Sequence, residues 1–582
     1  MSRSDWDRHI EWKSAVLWNR QYNSAEDVKN KGSSLGVSRE MFIAEAGDDM
    51  IRVSMVPGAG KVTDTGYDQF ACCAAEVPAG YDVRISAEIK AVISGGGNSN
   101  QEAWGIFIRD TLARDPETGY PYSNMALAGA FRGRADLFVR EGIDAESIEQ
   151  VYNHSLVPAD SERAFSKFRD VPGKFRIELA KLGGCIRADI IDEDGNHLLR
   201  REEGSPDEFV SAEDGGVMMR ISADTFLKRE PSRFYIGFMA ARGNDISIDT
   251  DTINVELILQ EQSENGYIYA SPDGSCSGNG RQSAPFDIRT AIRQDRDIFL
   301  LPGVYTLNED LIIEKKISGT ESSRRRMSSE AAVLDFCGRD ASLILEADYW
   351  DIEGLTVTGG MGFQIRGSHN RIKHCTAHHN RETGILIRHR YNDGPVSEWP
   401  AFNLIEDCLS YCNRDISENN ADGFACKVSA GEGNSFVRCR SYLNSDDGFD
   451  LFSKNRKTGA VSLTDCEAVM NGYKCGPDGD PVTTGGNGNG FKLGGSGISV
   501  RHRVKNCSAY DNRRYGFTSN SNPVMILENC SAADNVRGNY SFYFTGPAVT
   551  PEWIMTSCTE GDDAGYSRQH WLEEHPELNL KP

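Results

Sequence analysis

Cys439-Arg440-Ser441-Tyr442-Leu443-Asn444-Ser445-Asp446-Asp447-Gly448-Phe449-Asp450-Leu451-Phe452 contains the unit from which the second half of the chain is built. A cysteine is followed five positions later by asparagine, and then by glycine and a large apolar residue. The first pair recurs as Cys375/Asn380, Cys408/Asn413, Cys439/Asn444, Cys466/Asn471, Cys507/Asn512 and Cys530/Asn535. The second recurs as Gly362-Phe363, Gly384-Ile385, Gly423-Phe424, Gly448-Phe449, Gly490-Phe491 and Gly516-Phe517. Successive cysteines lie 33, 31, 27, 41 and 23 residues apart, so the shortest spacing suits one coil of a parallel β-helix and the longer ones carry inserted loops. One such unit cannot bury its apolar face alone, but stacked units share a continuous core. The repeat therefore predicts strands of successive coils paired in register about 4.8 Å apart. The cysteines are expected to stack inside as small apolar residues, and the asparagines to form a side-chain amide ladder at a turn.

The chain has fifteen cysteines, an odd number. Their place in the repeat reads as reduced core thiols rather than metal ligands or a disulfide framework. His378-His379 lacks any Cys-x-x-Cys or His-Glu-x-x-His companion, and reads as a turn rather than a zinc site.

Because side chains alternate along a strand, the repeat also aligns side chains between coils. The apolar residue after each glycine points inward, so the next points outward. Down the stack that outward column reads Gln364, Leu386, Ala425, Asp450, Lys492 and Thr518. The residues before each glycine form a column of Met361, Thr383, Asp422, Asp447, Asn489 and Tyr515. Asp422, Asp446, Asp447 and Asp450 are thereby expected to converge on one corner of two coils, with Lys492 on the next. Crowded carboxylates repel and shift one another's pKa values, which a hard divalent cation relieves. All-oxygen ligation favours Ca²⁺ over Zn²⁺. Four positions after the glycine, Arg366, Arg388 and Lys427 form a basic row on the same sheet, either ordinary charge balance or a grip on carboxylates of a ligand.

Asn420-Ala421-Asp422-Gly423-Phe424-Ala425-Cys426-Lys427, Asn444 to Phe452 and Asn489-Gly490-Phe491-Lys492-Leu493-Gly494-Gly495 together resemble polysaccharide lyase family 9, over roughly residues 267 to 545. The resemblance implies a right-handed parallel β-helix, a calcium site made by the four aspartates, and a catalytic lysine at Lys492. It implies a calcium-dependent lyase acting on pectate or polygalacturonate-type uronic acid polymers or oligomers by β-elimination, endo or exo. Arg366, Arg388 and Lys427 are then the expected substrate-binding residues. A rhamnogalacturonan lyase of the same family is one alternative. A β-helix glycoside hydrolase, which would use paired carboxylates and leave Lys492 unexplained, is another. A noncatalytic carbohydrate-binding protein is a third. An insertion from Cys475 to Gly486 precedes the lysine, either shaping the cleft or forming an inert loop.

Residues 1 to 262 read differently. Met50–Pro57, Tyr81–Val92, Ala103–Arg109, Lys174–Leu182 and Arg233–Ala241 read as strands, and several of them alternate apolar and polar residues as half-buried antiparallel strands do. No long amphipathic helix interrupts them, and Asp194-Gly195 marks a tight turn. The expected fold is thus all-β: a concanavalin-like, jelly-roll β-sandwich accessory domain over 1–262, then the β-helix catalytic domain over 263–582, with a polar boundary near Gln260–Asn265. Ser283 is expected to cap a short helix running to Ile292. A net charge of −23 argues against nucleic acid as partner and leaves an acidic polysaccharide possible through a bridging cation. No stretch is long and apolar enough for a membrane span. The polar Met1–Asp7 stretch shows no secretory apolar region, so the reading favours the cytoplasm, with secretion if a leader was removed.

Overall fold

The computed structural model describes residues 11–18, 21–24, 41–62, 68–93, 103–113, 122–131, 134–144, 151–156, 173–201, 205–206, 208–212, 214–259, 266–391, 394–475, 481–546, 550–564 and 566–574. They fall into two compact units. The first takes residues up to 263 together with 275–286, and the second takes 264–274 and 287 onward. The Gln260–Asn265 boundary lies outside the described residues. Segment 275–286 joins the first unit because Cys276 is buried with its thiol 3.8 Å from Met218 Sδ.

The first unit packs two antiparallel sheets of eight and nine strands. Ala103–Arg109 and Arg233–Ala241 pair as neighbours in one, and Tyr81–Ile93 and Gly173–Leu182 in the other. Alternate side chains from both sheets, including Trp104, Ile106, Phe238, Ile85, Ile89 and Leu179, fill one shared core. This is the period-two pattern of a sandwich.

The second unit is a parallel β-helix. A nineteen-stranded sheet carries two strands per coil, such as Arg371–Lys373 and Thr376–His378, and a nine-stranded parallel sheet carries the third. In that third sheet Phe363, Ile385, Phe424, Phe449, Phe491 and Phe517 are successive register partners, as the glycine column predicts. Their rings stack inside, with centroids 5.0, 4.8 and 4.7 Å apart from Phe424 through Phe517. Fourteen of the fifteen cysteines are free thiols. Those of the repeat line the inside, and Cys408 Sγ sits 3.3 Å from Glu406 O. The helix at the start of this unit is one turn, Ile288–Ala291. Its cap is Asp287, which accepts from Thr290 N at 3.0 Å, rather than Ser283.

The amide ladder runs the length of the stack. Asn413, Asn444, Asn471, Asn512 and Asn535 each accept from the backbone N–H and side-chain Nδ2 of the asparagine one coil before. The residues just before the ladder, among them His379, Cys412, Leu443 and Met470, adopt φ of 52°, 53°, 52° and 50°. This left-handed conformation is costly for L-residues, by roughly 1–2 kcal/mol, and the ladder bonds offset it. Asn512→Ala removes the acceptor of Asn471 and the donors to Ala468 O and Asn535 Oδ1. It is expected to destabilise the β-helix by about 2–4 kcal/mol through orphaned buried groups. A denaturant titration of the β-helix transition checks this, and an unchanged midpoint would make the ladder incidental.

Candidate active site

Three consecutive coils build the site. Asp422 precedes the strand Phe424–Cys426, Asp446 and Asp447 precede Phe449–Asp450, and Lys492 ends Phe491–Lys492. Ala425 pairs with Asp450 and Asp450 with Lys492, so the outward column has the expected register. Glycine is required at the turn into each strand. A Cβ on Gly423 would meet Ser441 Oγ at 2.1 Å, and one on Gly448 would meet Gly490 O at 2.6 Å.

Carboxylate oxygens of Asp422, Asp446 and Asp447 lie within 4.8 Å of one another, and all three residues are buried. Lys492 Nζ is 3.0 Å from Asp447 Oδ2 and 3.4 Å from Asp450 Oδ2, with 13% of its side chain exposed. It also lies over the Phe452 ring, 5.3 Å from the centroid. The expected quartet is therefore divided. Asp450 turns its Oδ2 to the two lysines, 2.9 Å from Lys427, while the other three aspartates form the tight group.

The expected basic row does not act as one surface. Lys427 points into the acidic corner and bridges Asp422 and Asp450, because two buried carboxylates outcompete solvent for its ammonium. Arg366 is held by Glu346 at 3.2 Å and Gln364 at 2.9 Å. Arg388 is half-buried, and burial depresses its pKa, opposed by Glu382 and assisted by Arg366. Arg388 is thus the member of the row without an ion pair among the described residues.

Electrostatics separates the aspartates. Burial first, then Asp447 and Asp422, raises Asp446 to about 9. Burial raises Asp422 to about 7, with Lys427 opposing and Asp450 and Asp447 reinforcing the rise. Burial also acts to raise Asp450, but Lys427 and Lys492 outweigh it and hold that carboxyl below its ordinary value. Burial alone would depress Lys492; Asp447, Asp450, Asp422 and Asp446 outweigh it and hold the ammonium well above the ordinary lysine range.

Several functional positions escaped the sequence reading. Asn489 donates its backbone N–H and Nδ2 to Asp447 Oδ1 at 2.8 and 2.7 Å, fixing that carboxylate. Asn489 stands in the same column as Asp422 and Asp447, and that alignment was the available signal. Thr383 Oγ1 donates to Asp422 Oδ2 at 3.3 Å, and Asn487 N donates to Asp446 Oδ1 at 2.6 Å. Glu382 is half-buried beside them, its pKa raised by burial and Asp415 against the pull of Lys427 and Arg388.

The donor set fits a hard divalent cation. Asp447 Oδ2, Asp450 Oδ1 and Asn489 Oδ1 are buried without a hydrogen-bond partner. With all four carboxylates ionised, the ammonium groups of Lys427 and Lys492 leave two negative charges, which one divalent ion balances. Oxygen-only ligation with buried acceptors suits Ca²⁺.

Residues 268–550 match the family described as Pel9A-like, right handed beta helix region. Pectate lyase L of Thermoclostridium stercorarium is 38% identical over 301 residues, covering 50% of this chain and 24% of that protein. Pectate lyase L of Paenibacillus polymyxa is 38% identical over 294 residues, covering 48% of this chain and 65% of that protein. Pectate lyase PEL9 of Emericella nidulans is 33% identical over 321 residues, covering 47% of this chain and 75% of that protein. The chain thus spans about a quarter of the length of the first of these relatives and 65% of the second. The repeat, its register and these likenesses together establish that the chain belongs to the Pel9A-like right-handed β-helix family, the pectate lyase-like polysaccharide lyases of family 9.

Proposed function

We propose that this chain is a calcium-dependent lyase that cleaves pectate-type uronic acid polymers or oligomers by β-elimination, with Lys492 as the base. The observation that carries the reading is the pairing of Lys492 with Asp450 across adjacent coils. It sets an ammonium group 3.0 Å from Asp447, beside a triad of carboxylates within 4.8 Å of each other. A glycoside hydrolase would need an acid and a base carboxylate, and leaves a lysine in this position without a task. The names of the relatives, pectate lyase L and PEL9, point the same way.

Asp422, Asp446 and Asp447 would hold the calcium ion, with Asp450 Oδ1 free to join them. Bound there, the ion supplies positive charge to the substrate carboxylate and stabilises the negative charge that develops when C5 loses its proton. Lys492 takes that proton on neutral Nζ. The C5–H electron pair forms the C4–C5 double bond, and the bond from C4 to the glycosidic oxygen breaks. The departing oxygen is protonated by solvent. Asn489 fixes Asp447, which would help hold the ion beside the base. Lys427 favours the ionised forms of Asp422 and Asp450 against their burial. Arg388 would pair with a uronate carboxylate.

The test is product chemistry. Polygalacturonate and rhamnogalacturonan are each incubated with the full chain, with and without calcium, and followed by ultraviolet absorbance. Elimination leaves a conjugated unsaturated uronide, and hydrolysis does not. The expected result is calcium-dependent absorbance on polygalacturonate. New reducing ends without absorbance would replace the lyase with a hydrolase.

A further inference from the structure

A second feature of the β-helix lies beside the aspartate corner and plays no part in the elimination step. It is a cavity of about 270 Å³, whose lining includes His379, Arg381, Arg414, Ser445, Tyr473 and Lys474. Tyr473–Cys475 and Pro481–Thr483 pair as an antiparallel hairpin, the only such pair within the β-helix unit among the described residues. It belongs to the insertion before Lys492, so the cavity has a wall that the repeat itself does not build.

Three cations reach this cavity in a chain of net charge −23. Arg381 is held by Asp340 and Gly338 O, both at 2.7 Å. Lys474 pairs with Glu418 at 2.6 Å. Arg414 is more loosely held. Its Nε lies 3.5 Å from Glu418, and 53% of its side chain is exposed. Glu418 already accepts from Lys474 and from Gly485 N, leaving the Arg414 fork available to a planar anion. The walls also offer aromatic surface. Burial lowers the pKa of His379 and raises that of Tyr473, so both present neutral rings.

The cavity is joined to the aspartate corner by consecutive residues. Thr484 Oγ1 donates to Ser445 O at 2.6 Å, and Asn487 N donates to Asp446 Oδ1 at 2.6 Å. Ser445, which lines the cavity, is followed directly by Asp446. The cavity and the aspartate corner therefore share the coil segment that carries Ser445 and Asp446.

We propose that this cavity is a uronate subsite, in which Arg414, backed by Arg381 and Lys474, takes the carboxylate of a sugar beyond the one that reacts. The proposal rests on the uronate-lyase reading for its substrate class, but it is tested without turnover. The full chain carrying Lys492→Ala is titrated calorimetrically, in calcium, with trigalacturonate and with its fully methyl-esterified form. Adding Arg414→Ala is expected to weaken trigalacturonate about tenfold, with partial recovery in Arg414→Lys and no change toward the ester. Arg414 is half-exposed, so the fold is expected to survive the change, and Arg381→Ala serves as an independent second variant. Unchanged affinity in both alanine variants, equal losses toward acid and ester, or no binding of trigalacturonate by the parent would overturn the subsite. The absence of unsaturated product from the unmutated chain would instead overturn the lyase reading while this binding result stood by itself.

Discussion

Lys492→Ala is expected to lower turnover on polygalacturonate by about a thousandfold, the middle of the range for removing a general base, with KM changed little. The substitution removes the one amine that sits within 3.4 Å of both Asp447 and Asp450 on the outward column. The backbone is not at risk, since the strand pairs through Phe491 and the main chain. Lys492→Arg should be equally inactive, because a guanidinium stays protonated at any working pH. The surrounding carboxylates hold the Lys492 ammonium charged far into the alkaline range. The base is therefore scarce at neutral pH, and activity should climb as pH rises. A divalent cation among the same carboxylates removes their upward pull, so increasing calcium should move the climb to lower pH. Initial rates by product absorbance across pH and calcium concentration measure both effects. Turnover retained in Lys492→Ala would end the assignment of the base.

The features legible in the sequence were those repeated at constant spacing. The glycine column set the register from Phe363 to Phe517, and with it the meeting of Asp450 and Lys492, because a one-residue slip would have exposed every phenylalanine. A second ladder went unread although its signal was of the same kind. Asn370, Asn403 and Asn434 stand five residues before Cys375, Cys408 and Cys439, and bond coil to coil as the other asparagines do. Two coils on, His502 Nδ1 accepts from Val461 N, so the ladder position has changed residue type and the pattern breaks.

Other features depended on contacts that no local pattern encodes. Lys427 lies on the same column as Arg366 and Arg388 and read as their equivalent. Its ammonium instead closes on Asp422 and Asp450, since only its coil places two buried carboxylates within reach. Similarly, Leu443 and Met470 carry φ near +50°, a conformation that bulky residues avoid in isolation. Stacking imposes it there through the bonds of Asn444 and Asn471. The inserted hairpin was legible as an insertion but not as a wall, because its place is set by Lys474 and Thr484 reaching Glu418 and Ser445.

Asp447→Asn is expected to weaken calcium binding about a hundredfold, by loss of one anionic ligand of nearly unchanged shape, and activity at limiting calcium should fall with it. Asp447 is fully buried, its Oδ1 is fixed by Asn489, and its Oδ2 is left without a hydrogen bond. Chelator should abolish the activity of the unmutated chain for the same reason. Stability gives a readout that does not depend on catalysis. In the metal-free protein Asp446 and Asp422 titrate near 9 and 7, above their ordinary value of 3.8. Groups raised in this way support the fold below pH 4 and withdraw that support as pH climbs through 7 and 9. Asp450 is shifted the other way, so its contribution is lost only in acid. Lys492 is raised from a value already above 10, so its contribution fades only beyond that range. Between pH 4 and 9 the cluster therefore destabilises the apo protein progressively, and a cation that binds the ionised carboxylates reverses it. The rise in Tm produced by calcium should grow with pH across that interval in the unmutated chain and be much smaller in Asp447→Asn. A calcium shift that is flat with pH, or equal in the two proteins, would place the ion elsewhere.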